Sequence, residues 1–78
     1  MFFAVTSVSR APIVVACAPT RARALAEGRL EIERRYGPLT SLWAQTAHKN
    51  LHVASESALR REGWNIEWVY ETLAHPFV

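Results

Sequence analysis

The chain has 78 residues, a length that allows one domain with one hydrophobic core and excludes a second domain. Half of the residues are apolar and 21% are charged, a composition that excludes a disordered, collagenous or membrane-embedded chain. The formal net charge is only +2, and all seven acidic residues are glutamates. Without aspartate, the chain cannot build the triads, dyads and magnesium clusters that require one. We therefore expect residues 1–78 to form a single compact domain that is not an enzyme.

The apolar start of the chain resembles part of an export signal, because residues 14–17 have the form of a lipoprotein cleavage box. The rest of a signal is missing, since no positive charge precedes the apolar run and both Arg10 and Pro12 interrupt it. No run of 18 uncharged residues is present to cross a membrane. The single thiol, Cys17, cannot form an internal disulfide, which favours a reducing compartment. We expect a cytoplasmic protein with no membrane partner.

Two short apolar runs near the start predict a β-hairpin. Phe2–Val8 is rich in β-branched and aromatic residues and predicts a strand. Ile13–Cys17 is a second run of strand length. The residues between them include a proline and suit a turn, so we expect the two strands to pair. Cys17, inside the second run, is expected to be a small core residue and not a nucleophile.

A helix is predicted from Arg21 to Tyr36. Thr20 is a suitable N-cap, and Gly37 followed by a proline is a suitable stop. One broad side of this helix gathers the apolar residues Ala22, Leu25, Ala26, Leu30, Ile32 and Tyr36. Gly28 lies in the middle, so an alternative ends the helix there and makes residues 29–36 a strand. We favour the continuous helix.

Residues 41–54 fit two structures. Apolar residues at helical spacing, such as Leu42 and Trp43, suit a helix, whereas residues 48–50 suit a turn between two strands at 42–46 and 51–55. We favour the hairpin because several of these residues have modest helix propensity and because a compact α+β domain needs more strands.

The last part of the chain predicts a short helix and a final strand. Ser55 or Ser57 is expected to cap a helix that ends at Gly63. Trp64–Tyr70 alternates, which places its aromatic residues on one core face of a strand. On that basis Trp68→Ala should cost roughly 3–5 kcal/mol. The predicted fold class is α+β, a small antiparallel sheet of four to five strands packed with one longer and one shorter helix.

Metal and cofactor sites lack support in the sequence. His48 and His52 have a spacing that occurs in zinc sites, but no third ligand is evident, because His75 lies in the tail and Cys17 in an apolar run. We interpret the two histidines as solvated turn residues. The three glycines are scattered and form no phosphate-binding loop. No cofactor is therefore expected.

Apart from Glu56 and Glu62 at the ends of the short helix, positive charge is not interleaved with glutamate in one region, which we call the basic set: Arg60, Arg61, His48, Lys49 and His52. If residues 51–55 lead directly into the short helix, these side chains would form a basic rim that faces an acidic patch on a partner protein. The arginines of residues 21–35 are interleaved with glutamates, which disfavours direct nucleic-acid binding. The alternative function is a small nucleic-acid-binding regulator that stacks bases on Trp64 and Trp68.

A short chain with mixed-sign helices, an aromatic final strand and an apolar end at residues 75–78 has the features of a stand-alone interaction module. In size and in its pattern of strands packed by one or two helices, it resembles the small anti-CRISPR proteins and other phage-encoded inhibitors of bacterial defence. That class has no common motif, so the resemblance assigns no residue roles. It implies a non-catalytic inhibitor that binds a larger bacterial complex and covers its nucleic-acid-binding surface. We expect a monomer or a homodimer formed through an edge strand or the apolar tail.

Overall fold

The computed structural model describes residues 1–74. These residues form three strands and four helices, which follow the chain as β1 (Phe2–Thr6), β2 (Ile13–Ala18), α1 (Arg21–Tyr36), α2 (Leu42–Asn50), β3 (His52–Ser55), α3 (Glu56–Arg61) and α4 (Ile66–Ala74). The strands form one antiparallel sheet in the order β2-β1-β3. The predicted α+β class is confirmed. The prediction of four to five strands and two helices is wrong for the described residues, because two of the predicted strands are helices.

The central strand β1 is covered on both faces. Its alternate residues Phe3 and Val5 pack with Leu59 of α3 and with Ile66 and Val69 of α4. The other alternate residues face the opposite side, where the Thr6 hydroxyl donates a hydrogen bond to the carbonyl of Ala47 in α2. The sheet therefore separates two layers, with α1 and α2 on one face and α3 and α4 on the other.

The hairpin of β1 and β2 and the helix α1 are confirmed. The Thr20 hydroxyl accepts a hydrogen bond from the Arg23 amide at 3.2 Å, and Gly37 ends the helix with a φ of 85°. The alternative strand at 29–36 is wrong. The predicted apolar side was partly wrong, because Leu30 is 65% exposed and the buried residues of α1 are Ala24, Gly28 and Ile32.

Gly28 allows α1 to approach the sheet closely. A Cβ atom at this position would lie 2.6 Å from the Cβ of Ala4 in β1 and 3.3 Å from a terminal methyl of Leu51. Neighbouring Cβ atoms do not approach within 3.0 Å, so this contact between helix and strand requires a glycine. A residue that looked like a helix break is thus a packing position inside a continuous helix.

The predicted hairpin over 41–54 is wrong in its first half. Residues 42–50 form α2, capped by the Ser41 hydroxyl, which accepts from the Ala44 amide at 3.5 Å. Ala44 and Ala47 are the buried residues of this helix, and their small side chains let α2 pack against α1 and β1. The second half is a strand, as predicted, but β3 pairs with β1 and not with the segment before it.

The short helix α3 is confirmed. The Ser55 hydroxyl accepts from the Ala58 amide at 3.2 Å, and Gly63 follows the helix with a φ of 93°. Ser55 is therefore the cap, and it also ends β3, so strand and helix follow each other without a loop.

The predicted final strand is wrong, because residues 66–74 form α4. The Asn65 side chain caps this helix by accepting a hydrogen bond from the Trp68 amide at 3.0 Å. Ile66 and Val69 are buried at helical spacing, whereas Trp68 is 60% exposed. The predicted cost of about 3–5 kcal/mol for Trp68→Ala is wrong, because it requires a tryptophan that is buried in the core.

The apolar end predicted at residues 75–78 lies outside the described residues. Within residues 1–74, no helix has the length and apolar character needed to span a bilayer.

Candidate functional site

An apolar groove of about 220 Å³ lies beside β2, and we call it the β2 groove. Arg35 of α1 lines it, and so does α4, which lies in the other layer of the fold. Since these helices cover opposite faces of the sheet, the groove opens along the sheet edge that β2 forms. The residues that line it are Pro12, Ile13, Val14, Arg35, Trp64, Trp68, Val69 and Thr72.

The size of the β2 groove restricts what it can hold. Pockets for drug-sized molecules and cofactors measure roughly 300–1,000 Å³, and the β2 groove is smaller, at about 220 Å³. An apolar cavity of about 150 Å³ is large enough for benzene. The β2 groove is therefore large enough for one large apolar side chain.

Two tryptophans give the groove its apolar character. Trp64 is half-buried and packs against the core cluster, so its position is fixed. Trp68 is 60% exposed, and its place in the first turn of α4 is set by the Asn65 cap. The pair thus combines a fixed ring at the core with a ring that is open to a partner.

Arg35 forms the charged side of the groove. Its Nε atom donates to the Glu31 carboxylate at 2.8 Å, and its side chain is only 19% exposed. Arg34 also pairs with Glu31. The hydrogen bond from Arg34 contributes most to holding the pKa of Glu31 below its usual value, and the hydrogen bond from Arg35 adds to it. Partial burial acts in the opposite direction and raises the pKa. The Glu31 carboxylate therefore stays ionised at neutral pH and orients both arginines.

The structure divides the basic set between the two layers. His48 and Lys49 end α2 on one face of the sheet, whereas Arg60 and Arg61 end α3 on the other face, to which the pairing with Val5 also directs His52 of β3. Arg60 pairs with Glu56 and with Glu67 of α4, each at 3.5 Å, so glutamates offset part of its charge. The Nε2 atom of His48 is buried and has no hydrogen-bond partner among residues 1–74. A single continuous basic rim is not formed by these contacts, and a role for the set in partner binding stays a prediction.

The groove and the predicted arginines lie on different flanks of α4. Successive residues of a helix are rotated by about 100°, which places Trp68 and Thr72 on the flank facing β2 and Glu67 on the opposite flank. Arg60 contacts Glu67 there. The two candidate surfaces can therefore be changed independently.

Neither a metal site nor a reactive thiol is found in the described part of the chain. Residues 1–74 contain no group of three or more histidine, cysteine or acidic side chains that could hold a metal ion. Cys17 is partly buried against the core, and this burial, more than the nearby Glu27 carboxylate, raises the pKa of its thiol. At neutral pH Cys17 is protonated, as suits a core residue.

Tyr70 links α3 and α4 on the flank away from the groove. Its hydroxyl donates to the Glu56 carboxylate at 2.7 Å, and its ring packs edge-on against Phe3 with a centroid distance of 5.3 Å. Burial, together with this hydrogen bond, raises the pKa of Tyr70 to about 12. The contact is structural and fixes the position of α4 on the sheet.

Comparisons with protein-family models, with curated proteins and with solved structures gave no match. The site is therefore defined by its own geometry. The sequence placed both tryptophans on the core face of a strand and treated them as exposed stacking residues only in the alternative function. Asn65 followed by apolar residues at 66, 69, 70 and 73 is the helical signal that could have located them correctly.

Proposed function

We propose that this chain is a non-catalytic protein-binding module that inhibits or regulates a larger complex, and that the β2 groove is its contact surface. The observation that carries the proposal is the 60% exposure of Trp68 in a groove sized for one apolar side chain. Tryptophan is among the residues that dominate binding energy at protein interfaces, especially where a pocket lies at the centre of the contact. A large side chain from a partner would bury the exposed ring of Trp68 against Trp64.

A regulator that acts by steric blocking needs a binding surface and no chemistry. The resemblance in size and α+β architecture to anti-CRISPR proteins supports a bacterial defence complex as the proposed partner. Many inhibitors of that kind imitate DNA with acidic surfaces. The net charge of +2 disfavours such mimicry and favours a module that binds protein directly.

The matched pair Trp68 and Trp43 tests this function. Trp43 in α2 is 59% exposed, nearly the same fraction as Trp68, but it does not line the groove. Purified wild type, Trp68→Ala and Trp43→Ala would each be used to capture partners from the native host. We expect the wild type and Trp43→Ala to retain the same protein in similar amount, and Trp68→Ala to retain about tenfold less.

Thermal melts of both variants serve as the control for folding. Since both tryptophans are mostly exposed, each variant should melt close to the wild type. Equal capture by folded Trp68→Ala and wild type would contradict the proposal and exclude the groove as the contact surface.

A second candidate is supported by the same exposed ring. An exposed tryptophan next to arginine can stack unpaired bases, a contact worth about 1–3 kcal/mol per base. Binding of a mixed-sequence single-stranded oligonucleotide at about 50 and 200 mM salt separates the two functions. Binding that depends on Trp68 and weakens steeply with salt would favour a nucleic-acid-binding regulator over a protein-binding module.

A further inference from the structure

We propose that the side chain of Phe77 occupies the β2 groove against Trp68 in the free protein, so that a partner has to displace it in order to bind. Phe77 belongs to residues 75–78, which follow α4 and lie outside the described residues. The inference rests on the proposed function and adds regulation of the same site, because the chain then competes with its own partner for the groove.

Helix α4 connects the groove directly to this segment. Trp68, Val69 and Thr72 of α4 line the groove, and the helix ends at Ala74, shortly after Thr72. A ligand that is attached through a short linker has an effective concentration of about 1 mM at its site. A separate molecule at micromolar concentration therefore has to bind far more tightly than Phe77 to take its place.

The length of the segment allows Phe77 to reach Trp68. Trp68 lies about 9 Å along the axis of α4 from Ala74, at 1.5 Å per residue. The chain from Ala74 to Phe77 can span up to about 10 Å. Pro76 disfavours a helical conformation of the residue before it, so the sequence favours a change of direction after α4. Phe77 is the first large apolar residue after α4 in the sequence, and it has the reach that the groove requires.

The groove matches a phenyl ring in size and chemistry. Its walls include Ile13, Val14 and Trp68, and its volume is about 220 Å³. An apolar cavity of about 150 Å³ holds benzene, so the ring of Phe77 fits the groove while the backbone of Phe77 stays outside it. Contact between this ring and Trp68 removes apolar surface of both side chains from water, which favours the occupied groove.

Occupation of the groove by Phe77 weakens the binding of a partner by a predictable factor. The apparent dissociation constant equals the intrinsic one divided by the fraction of molecules whose groove is open. Burial of one phenylalanine side chain corresponds to a factor of about ten or more. We therefore expect an open fraction of about one tenth, and only a partner whose side chain binds the groove better than Phe77 displaces it.

Nuclear magnetic resonance of the full chain tests the contact directly. We expect nuclear Overhauser effects from the Phe77 ring to the Trp68 indole and to the Val14 methyl groups. Phe77→Ala should shift the indole N–H signal of Trp68 and leave unchanged that of Trp43, which does not line the groove. Val78→Ala is the matched control, because it shortens the adjacent apolar side chain, keeps the phenyl ring and should leave the Trp68 signal in place.

Partner capture from the native host tests the consequence for binding. Captured protein, measured over a dilution series of the lysate, should reach half of its maximum at about tenfold lower concentration with Phe77→Ala than with the wild type. Phe77→Leu keeps a large apolar side chain and should resemble the wild type. Thermal melts establish that both variants fold.

The outcomes separate the inference from the function on which it rests. Absence of Overhauser effects between Phe77 and the groove, or a Trp68 signal that Phe77→Ala leaves unchanged, would overturn the inference and leave the groove as a binding surface. Overhauser effects together with capture that does not depend on Trp68 would support the contact and overturn the proposed function. A dimer in sedimentation equilibrium that Phe77→Ala dissociates would place Phe77 in the groove of a second copy and also overturn the inference.

Discussion

Gly28→Ala tests the close contact between α1 and the central strand. In an isolated helix the substitution would stabilise the helical structure, because alanine is favoured over glycine in a helix interior by about 1 kcal/mol. Here the new methyl group would lie 2.6 Å from the Cβ of Ala4, which is fully buried in β1. A Cβ atom cannot move without its backbone, and β1 is held by strands on both sides.

Helix propensity and the clash with Ala4 change the free energy of unfolding in opposite directions, and their magnitudes decide whether Gly28→Ala stabilises or destabilises the protein. Forcing an extra methyl group into a packed core costs about 1–3 kcal/mol, against a gain of about 1 kcal/mol in helix propensity. Since the atom that must move belongs to the central strand, we expect the cost to prevail and the free energy of unfolding to fall by about 1–2 kcal/mol. The melting temperature should fall by about 4–8 °C for each kcal/mol in a domain of this size.

Urea unfolding followed by circular dichroism measures the effect, and two further variants interpret it. Ala26→Gly, at an exposed position of α1, should lower the free energy of unfolding by about 1 kcal/mol, and this loss reflects helix propensity alone. In an Ala4→Gly background the clash is removed, so Gly28→Ala should become stabilising, with a coupling energy of about 0.5–3 kcal/mol. A Gly28→Ala variant that is more stable than the wild type would refute the close packing of α1 on β1.

Three other outcomes are expected. Tyr70→Phe should lower the free energy of unfolding by about 0.5–1.5 kcal/mol at neutral pH. Because the pKa of Tyr70 is raised to about 12 in the folded state, its hydroxyl contributes fully to stability below pH 10 and loses this contribution toward pH 12. The stabilities of the wild type and Tyr70→Phe should therefore converge in alkaline unfolding experiments. Cys17 should react with a thiol reagent at neutral pH far more slowly in the folded protein than in urea, and equal rates would contradict its burial. The double variant Arg60→Glu, Arg61→Glu should still fold but melt at a slightly lower temperature, because it replaces the exposed ion pairs of Arg60 with Glu56 and Glu67 by like charges. It should bind the partner about tenfold more weakly through slower association, and unchanged binding would exclude the basic set from the interface.

The two helices that the sequence predicted correctly have local signals at both ends. Thr20 and Gly37 mark the two ends of α1, and Ser55 and Gly63 mark the two ends of α3. Each signal acts within a few residues, so it is visible without knowledge of the tertiary structure.

The errors arose where packing partners decide the structure. The alternating pattern from Trp64 to Tyr70 predicted a strand, but the residues that the sheet buries are Ile66 and Val69, and Trp68 faces outward. Residues 42–50 have modest helix propensity, and α2 is stable because Ala44 and Ala47 fit against α1 and β1. The β2 groove could not be predicted, because it depends on α1 and α4 meeting at a sheet edge.

The position of β1 between the two helical layers has a consequence for cooperativity. One set of its side chains completes the packing of α3 and α4, while the alternate set completes that of α1 and α2. Neither layer retains a core once this five-residue strand is displaced, so partial unfolding of one layer destabilises the other. Trp43 reports on one layer and Trp64 on the other, and variants that keep only one of these fluorophores should show coincident unfolding transitions. The domain is expected to lose its structure as one unit, so a partner bound at the edge of the sheet would stabilise both layers together.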